Sequence, residues 1–482
     1  MNNVFSSMAW KFTERIASQL VSFMVSVILA RLLLPEQYGI IAKVMVFISI
    51  ADVFVTTGLC SALIQKKDSD DLDFSSMFYL NIGLSFVLYL ILFICAPAIG
   101  HFFNDTCLSP VLQVLGLKLL FSAYLSIQQA YISRYMLFRS SAIAALAATA
   151  CSAAAGVSMA YLGAGVWALA AQQLVLSAMQ VLFLVIFINW RPKLAFSWHR
   201  AKTMLGFGNI ILLAGLLDTI SGQLRTLVVG KYYNDEQLAY YNRGDLYPQT
   251  LISSVSGTMH TVLFAAYSQE QEHIGHVKLL IRNGMKRSSY LIFTMLTGLA
   301  CVAEPLIQFM LTDKWLPCVP YMQIACASYA TWVMQIAGQE AIIGLGYGKD
   351  YLIITIIRSA FHIAALLVLS KRGIMAIAIG STATNILSSL LVCRWTYRHL
   401  HYKINEQLTD LLPALLISLC IAGVTLQVSK LPFTAPVLLI TEVISGVFVC
   451  VIISAATKNE SFYWILSKLK VLLSVIDKKD RR

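Results

Sequence analysis

An all-α integral membrane protein of about fourteen transmembrane helices is the fold class that three observations predict. Of the 482 residues, 58% are hydrophobic and only 12% charged, and the mean hydropathy is +0.73, which lies outside the range of soluble domains. The apolar stretches run to about 20 residues each without strict alternation, so helices are favoured over a membrane barrel. The basic residues outside those stretches gather on one side, as they do when a chain crosses a bilayer an even number of times.

Taken in order, the first span (12–34) leaves the membrane through Arg31-Leu-Leu-Leu-Pro-Glu36. Its length and the absence of a small-residue cleavage pattern make it a retained helix rather than a signal peptide. Spans at 39–64, 75–100, 107–130, 140–162 and 165–189 follow on short connections and complete a first group over 1–190. The stretch from Arg191 to Lys202 mixes basic and aromatic residues, which suits a segment lying on the inner membrane surface; residues 191–205 are therefore an interfacial cytoplasmic linker and the natural hinge. Spans at 206–230, 244–267, 288–311, 317–345, 350–370 and 373–394 form a second group over 206–400. Two additional spans, 408–428 and 433–456, occupy 401–456. Residues 457–482 form a basic amphipathic cytoplasmic tail, in which Lys468 and Lys470 interrupt an apolar run before Lys478, Lys479, Arg481 and Arg482. The tail reads as a surface anchor and orientation signal.

A net charge of +12 raises the question of nucleic acid. With the amino terminus in the cytoplasm, 25 basic residues lie inside and six outside, the latter being Arg31, Lys231, Lys314, Lys371, Arg372 and Lys430. The excess is thus a topological signal that puts both termini in the cytoplasm, and nucleic acid is excluded as a partner. The ten cysteines show neither a CxxC pair nor metal-ligand spacing and read as small apolar fillers. A weak internal repeat links Arg31-Leu-Leu-Leu-Pro-Glu36-Gln37-Tyr38 to Lys231-Tyr-Tyr-Asn-Asp-Glu236-Gln237-Leu238, at an offset of 200 residues. Six spans separate the two segments, so orientation is preserved, as a parallel duplication requires.

Further motifs fall along the chain: Ala30-Arg-Leu-Leu-Leu-Pro-Glu-Gln-Tyr-Gly39, Gly163-Ala-Gly-Val-Trp167-Ala-Leu169, Trp190-Arg-Pro192, Tyr240-Tyr-Asn-Arg243, Leu311-Thr-Asp-Lys-Trp315-Leu-Pro317-Cys-Val-Pro320 and Gly344-Leu-Gly-Tyr-Gly-Lys349-Asp350. In this order and spacing they resemble the Wzx-type polysaccharide and O-antigen flippases, the colanic-acid-exporter-like branch of the multidrug, oligosaccharidyl-lipid and polysaccharide exporter superfamily. The resemblance implies two six-helix bundles around a central cavity, followed by two C-terminal helices. The motifs themselves have structural readings: Pro35 and Gly39 suit a tight reversal, and Trp167 and Trp315 suit the aromatic belt at the membrane interface.

Ionisable groups at membrane depth are costly, so those inside the spans are the candidate site. The cations are Lys118, Arg225 and Arg358, with Lys43 and Arg243 just inside the outer ends of their spans; Asp52 and Asp218 are the clearest acidic groups at depth. Lys118, Ser122, Ser126 and Gln129 fall within about 80° on one helical face, so Ser122 and Gln129 are cavity-lining candidates. Asp218 and Arg225 share a face of the seventh span, as possible counter-ion or coupling group and substrate cation. A basic cavity suits an anionic diphosphate, which Arg grips bidentately and Lys neutralises as a point charge. Glu14, Ser18 and Ser22 form a polar stripe on the first span. Glu304-Pro305 reads as a kink, and Glu340 as a residue near a helix end.

The resemblance implies transport of a polyprenyl-diphosphate-linked oligosaccharide across the bacterial inner membrane for surface polysaccharide assembly, by alternating access, alongside a polysaccharide polymerase and its assembly machinery. It also implies a proton or sodium gradient as the driving force; no cofactor is expected, and no GxxxxGK[ST] loop for ATP occurs. The alternative within the superfamily is a multidrug or cation antiporter, whose cationic cargo calls for an acidic or apolar cavity. An enzyme is not expected, because the eight histidines are scattered and neither H-E-x-x-H nor G-x-S-x-G is present.

Overall fold

A computed structural model describes residues 2–57, 63, 70–269 and 274–468. Within them the chain is helical, with no strand, and runs α1 (Asn2–Leu32), α2 (Pro35–Thr56), α3 (Asp71–Phe103), α4 (Leu108–Leu115), α5 (Lys118–Tyr135), α6 (Phe138–Tyr161), α7 (Val166–Phe187), α8 (Trp198–Tyr232) and α9 (Asp235–Gln269). It continues as α10 (Ile274–Cys301), α11 (Ala303–Leu311), a 3-10 turn (Asp313–Cys318), α12 (Val319–Ala330), α13 (Trp332–Gly344), α14 (Gly348–Leu369), α15 (Ile374–Leu400), α16 (Ile404–Val428) and α17 (Ala435–Ala456). Nine of the described helical spans are long and apolar enough to cross a membrane, or ten if α10 and α11, bent by 64° at their break, are taken as one. The span expected at 107–130 is α4 plus α5, joined at Gly116–Leu117 by i to i+3 hydrogen bonds that tighten the helix locally. The part of the amphipathic tail beyond residue 468 lies outside the described residues.

Two compact units divide the chain, Met1–Ala239 and Tyr240–Arg482. The packing boundary therefore falls after α8 rather than at the 191–205 linker, because α8 lies along α2 and α3. In the first unit α6 packs on both α1 and α7. Ala144, Ala148, Ser152, Gly156 and Ala160 are all buried, and this stripe of small residues at every fourth position lets the backbones approach closely. A Cβ at Gly156 would lie 2.9 Å from that of Gln172. In the second unit α10 packs on α12 and α16, α15 on α12, α13 and α14, and α17 on α16 and α11. Outer faces carry exposed apolar side chains, such as Phe86, Leu90 and Ile94 on α3 and Ile444, Val447 and Phe448 on α17, as a surface solvated by lipid requires.

The repeat is visible in the backbone. α1 ends at Leu32 and α2 begins at Pro35, while α8 ends at Tyr232 and α9 begins at Asp235, so the same two-residue break recurs 200 positions later. Gln37 caps the first break by accepting from the Leu34 N–H at 3.2 Å. At the second, Asn234 accepts from the Gln237 N–H at 2.9 Å. Gly39 sits inside α2 rather than in the reversal, and a Cβ there would lie within 2.1 Å of the Asp235 carbonyl oxygen; its role is close helix approach.

The linker is fastened along its length. The Lys193 and Ser197 N–H groups donate to the Ser75 and Ser76 hydroxyls at 3.0 and 2.9 Å, Lys193 pairs with Asp71 at 2.6 Å, and Arg200 pairs with Asp70 at 2.6 Å and Asp73 at 3.3 Å. The Arg200 guanidinium holds the Asp70 carboxyl well below the usual range, at about 2. Leu194 (99% exposed), Phe196 and Trp198 project from this docked segment, in keeping with a face that meets the membrane surface. Trp190 of the Trp-Arg-Pro motif stacks on Tyr131 and meets Phe74 edge-on.

Candidate functional site

The polar interior of the first unit is built where α2, α5 and α7 meet. Lys118, the first residue of α5 after the tightened joint, donates to the Gln173 side-chain oxygen at 3.2 Å. Asp52 of α2 is within reach of the Ser122 hydroxyl and interacts electrostatically with Lys118. Ser122 and Ser126 are buried, and Gln129 is half-buried on the same helix. The face expected for Lys118, Ser122 and Gln129 is thus turned inward, and it gains Asp52 from a neighbouring helix. Lys118 and Asp52 are both only partly enclosed, an arrangement in which an ammonium can meet an incoming anion while a carboxylate limits its excess charge. Below this cluster Asn81, fully buried, donates to the carbonyls of Val55 and Ala123 at 3.0 and 3.2 Å, tying α3 to α2 and α5.

Arg225 is half-buried on α8. The antiparallel register of α8 on α2 follows from two glycines, Gly230 against Lys43 and Gly215 against Val53 and Thr57, and Arg225 falls between those contacts. Asp218, one turn beyond Gly215, is exposed, and no ion pair joins it to Arg225; the spacing that puts both on one face does not bring their charges together.

Lys43 and Arg243 have a different place from the one their charge suggests. Lys43 is 3% exposed, pairs with Asp235 at 2.5 Å and Asp105 at 3.4 Å, and lies over the Phe103 ring. With two carboxylates on one ammonium, it serves as the centre of a structural triad. Arg243, 6% exposed, lies over Trp315 at 5.4 Å and Tyr247 at 5.8 Å. Trp315 is itself fully buried and so packs inside the second unit instead of standing in an interfacial belt; Trp167, 37% exposed, keeps that reading.

In the second unit Arg358 lies on α14 between Ile354 and Leu366, the two buried residues of that helix. The three recur at intervals of four and eight residues, so Arg358 shares their inward stripe, while Leu352, Ile356 and Leu367 form the exposed apolar face. One turn on, His362 Nδ1 lies 3.4 Å from the Thr384 hydroxyl. Gln335, Asn385, Ser388 and Ser389 make a buried amide and hydroxyl seam between α13 and α15, which reads as helix glue. Gln173 and Asn81 are not singled out by charge in the sequence; the available signal is an amide at mid-span, which needs a partner in hydrocarbon. Among the described residues no cluster of three or more His, Cys, Asp or Glu side chains is arranged to hold a metal.

Residues 28–320, more than half of the chain, match the family described as polysaccharide biosynthesis protein. The chain belongs to this family. Curated relatives include the lipopolysaccharide biosynthesis protein WzxC of Escherichia coli (strain K12), 23% identical over 305 residues that cover 62% of this chain and 61% of that protein. The succinoglycan biosynthesis transport protein ExoT of Rhizobium meliloti (strain 1021) is 22% identical over 329 residues, covering 67% of this chain and 66% of that protein. The chain thus spans less than two thirds of the length of either relative. Among solved structures, the lipid II flippase MurJ in an inward closed conformation superposes with a TM-score of 0.77 at 14% identity, covering 96% of this chain and 99% of that one. An inward-facing multidrug resistance MATE family transporter of the MOP superfamily gives 0.63 at 15% identity, covering 80% and 94%. These superpositions establish that this member of the polysaccharide biosynthesis family has the fold of that superfamily, a multi-pass helical membrane architecture.

Proposed function

We propose that the chain is a flippase that carries a polyprenyl-diphosphate-linked oligosaccharide across the bacterial inner membrane, for surface polysaccharide biosynthesis, by alternating access. The observation that carries this reading is the pair of half-buried cations on inward helix faces, Lys118 in the first unit and Arg358 in the second, in a member of a polysaccharide biosynthesis family. A diphosphate is the anion such groups neutralise, while its lipid tail stays in the bilayer. Arg225 is a third contact, and Asp52 a counter-ion. A proton or sodium gradient drives the cycle without a cofactor, both termini lie in the cytoplasm, and a polysaccharide polymerase receives the product. The number of lysines and arginines on that side, Lys193, Arg200, Lys278, Arg282 and Lys286 among them, supports that orientation, because the rule counts basic residues rather than net charge.

The deciding experiment compares the leaflet distribution of polyprenyl-linked oligosaccharide in cells with and without the gene, with drug susceptibility measured alongside. Accumulation at the inner leaflet on deletion is the expected result. Unchanged glycan distribution with altered drug sensitivity would establish the antiporter instead.

A further inference from the structure

The last membrane helix is inside out in one respect. Its apolar residues Ile444, Val447, Phe448 and Val451 are exposed to the lipid side, whereas its two buried residues are the polar Glu442 and Ser454. Ser454 has a reason to be there, because its hydroxyl meets the Tyr290 hydroxyl of α10 at 2.8 Å. Glu442 is 1% exposed, and among the described residues neither carboxyl oxygen has a hydrogen-bond partner. It lines a cavity of about 490 Å³ with Leu251, Val302, Leu306, Leu439 and Val443. The two threonines on the cavity wall offer its carboxylate no donor, since Thr294 and Thr425 donate to their own helices at Tyr290 and Ile421, each at 2.7 Å.

The groups that face Glu442 from the packed elements can be named. On α11 it is Glu304, whose carboxylate is the charge it feels; on α10 it is Tyr290, further along and engaged with Ser454 and Cys450; on α16 the cavity wall is the uncharged Ile421 and Thr425; and on α17 itself it is Cys450. No cation stands among them. A bare carboxylate in hydrocarbon facing a second carboxylate is the costliest form this side chain can take, and a bound proton removes the charge. One carboxyl in a hydrocarbon wall supplies too few oxygens to replace the water of a metal ion. The cavity also reaches Gly298, Leu299 and Val302 at the α10–α11 break, so Glu442 shares one cavity with a bent joint that α17 touches.

We propose that Glu442 is a proton-binding site on the last membrane helix, loaded as the acid when α17 is packed against the α10–α11 break and emptied to water when that contact opens. The step is a simple association: a proton from water joins one carboxylate oxygen, and no electrons are exchanged. Proton binding stands by itself; its use to drive translocation rests on the flippase reading above.

The test treats the full-length protein in lipid nanodiscs with a hydrophobic carbodiimide. The protonated acid adds across a C=N bond of the reagent, its proton passing to nitrogen, and the adduct rearranges to a stable N-acylurea that mass spectrometry locates. The expected result is modification of Glu442 that falls about tenfold for each pH unit above its pKa and is absent in Glu442→Gln. No modification of Glu442, or a yield that is flat from about pH 6 to about pH 9, would overturn the site. The wild-type measurement needs no variant to fold. Modification as expected, with unchanged glycan distribution on gene deletion, would leave the proton site standing and remove the flippase reading; the reverse pair of results would do the opposite.

Discussion

Replacing Lys43 with Met removes the one cation of a triad whose side chains are 4% (Lys43), 13% (Asp105) and 20% (Asp235) exposed. Removing one partner of a buried ion pair costs about 3–5 kcal/mol, because the stranded charge has no water to return to; here two carboxylates are stranded together, so the upper part of that range is expected. The two partners are not equivalent. At 2.5 Å against 3.4 Å the attraction to Asp235 is stronger by about a third on distance alone, so Asp235→Asn should cost more than Asp105→Asn. Neutralising all three positions together should recover much of the loss, since a well-packed neutral cluster is often no worse than the ions it replaces. The assay is thermal denaturation of purified protein in detergent, followed by fluorescence-detected size exclusion. A Lys43→Met protein that melts with the wild type, or a triple variant no better than Lys43→Met, would refute the view that Lys43 is held by its neighbours and return it to the candidate substrate contacts.

The other expectations concern separate links of the same argument. Lys118→Gln should reduce glycan export about tenfold or more, the worth of one charge-assisted hydrogen bond, with membrane level and melting unchanged; an equal fall in protein level would make Lys118 structural. Trp315→Ala should cost about 3–5 kcal/mol of stability, measured by the same melting assay, because its ring is fully buried under Arg243 and Tyr240. Gly39→Ala should cost about 1–3 kcal/mol, since the added methyl meets a backbone carbonyl that cannot rotate away. Asp70 has a depressed pKa, about 2 against about 3.9 unfolded, so its contribution is complete above the unfolded value and is lost as pH falls through the folded one. Asp70→Asn should flatten that stretch of an acid titration of tryptophan fluorescence and give up the pair's contribution at neutral pH, a small amount because the pair is half exposed.

Hydropathy and charge asymmetry carry the helical membrane class and the short connections, and the recurring Glu-Gln pair at positions 36–37 and 236–237 carries the duplication down to the two-residue break. What they do not carry is partnership. Lys43 and Lys118 look alike in sequence, each a single lysine in an apolar span, yet one meets two carboxylates from residues 62 and 192 positions away and the other meets Gln173 and Asp52. Only the fold brings Asp105 and Asp235 to one point. Trp315 failed as a belt residue for a related reason: an aromatic near a span end is equally suited to the interface and to a cation inside the bundle, and the deciding neighbour, Arg243, is 72 residues away. Glu442 is the opposite case, visible as an acid in the middle of an apolar span, but its meaning depends on the cavity and on there being no cation around it among the described residues.

The repeat also explains why the most recognisable motifs lie away from the candidate site. Lys43 and Arg243 stand nine residues after equivalent breaks, both buried and both over aromatic rings, and each sits beside the turn that follows a later helix: Phe103 to Asp105 after α3, and Asp313 to Trp315 after α11. The Leu-Leu-Leu-Pro-Glu-Gln-Tyr-Gly and Thr-Asp-Lys-Trp segments thus belong to equivalent joints, one in each unit, made once with carboxylates and once with aromatic faces. A buried cation at such a joint fixes helix register and needs only its local partner. On the flippase reading proposed above, substrate contact is expected of charged side chains that are only half-buried, and in this chain those are Lys118, Arg225 and Arg358 at mid-span rather than the buried charges beside the family motifs.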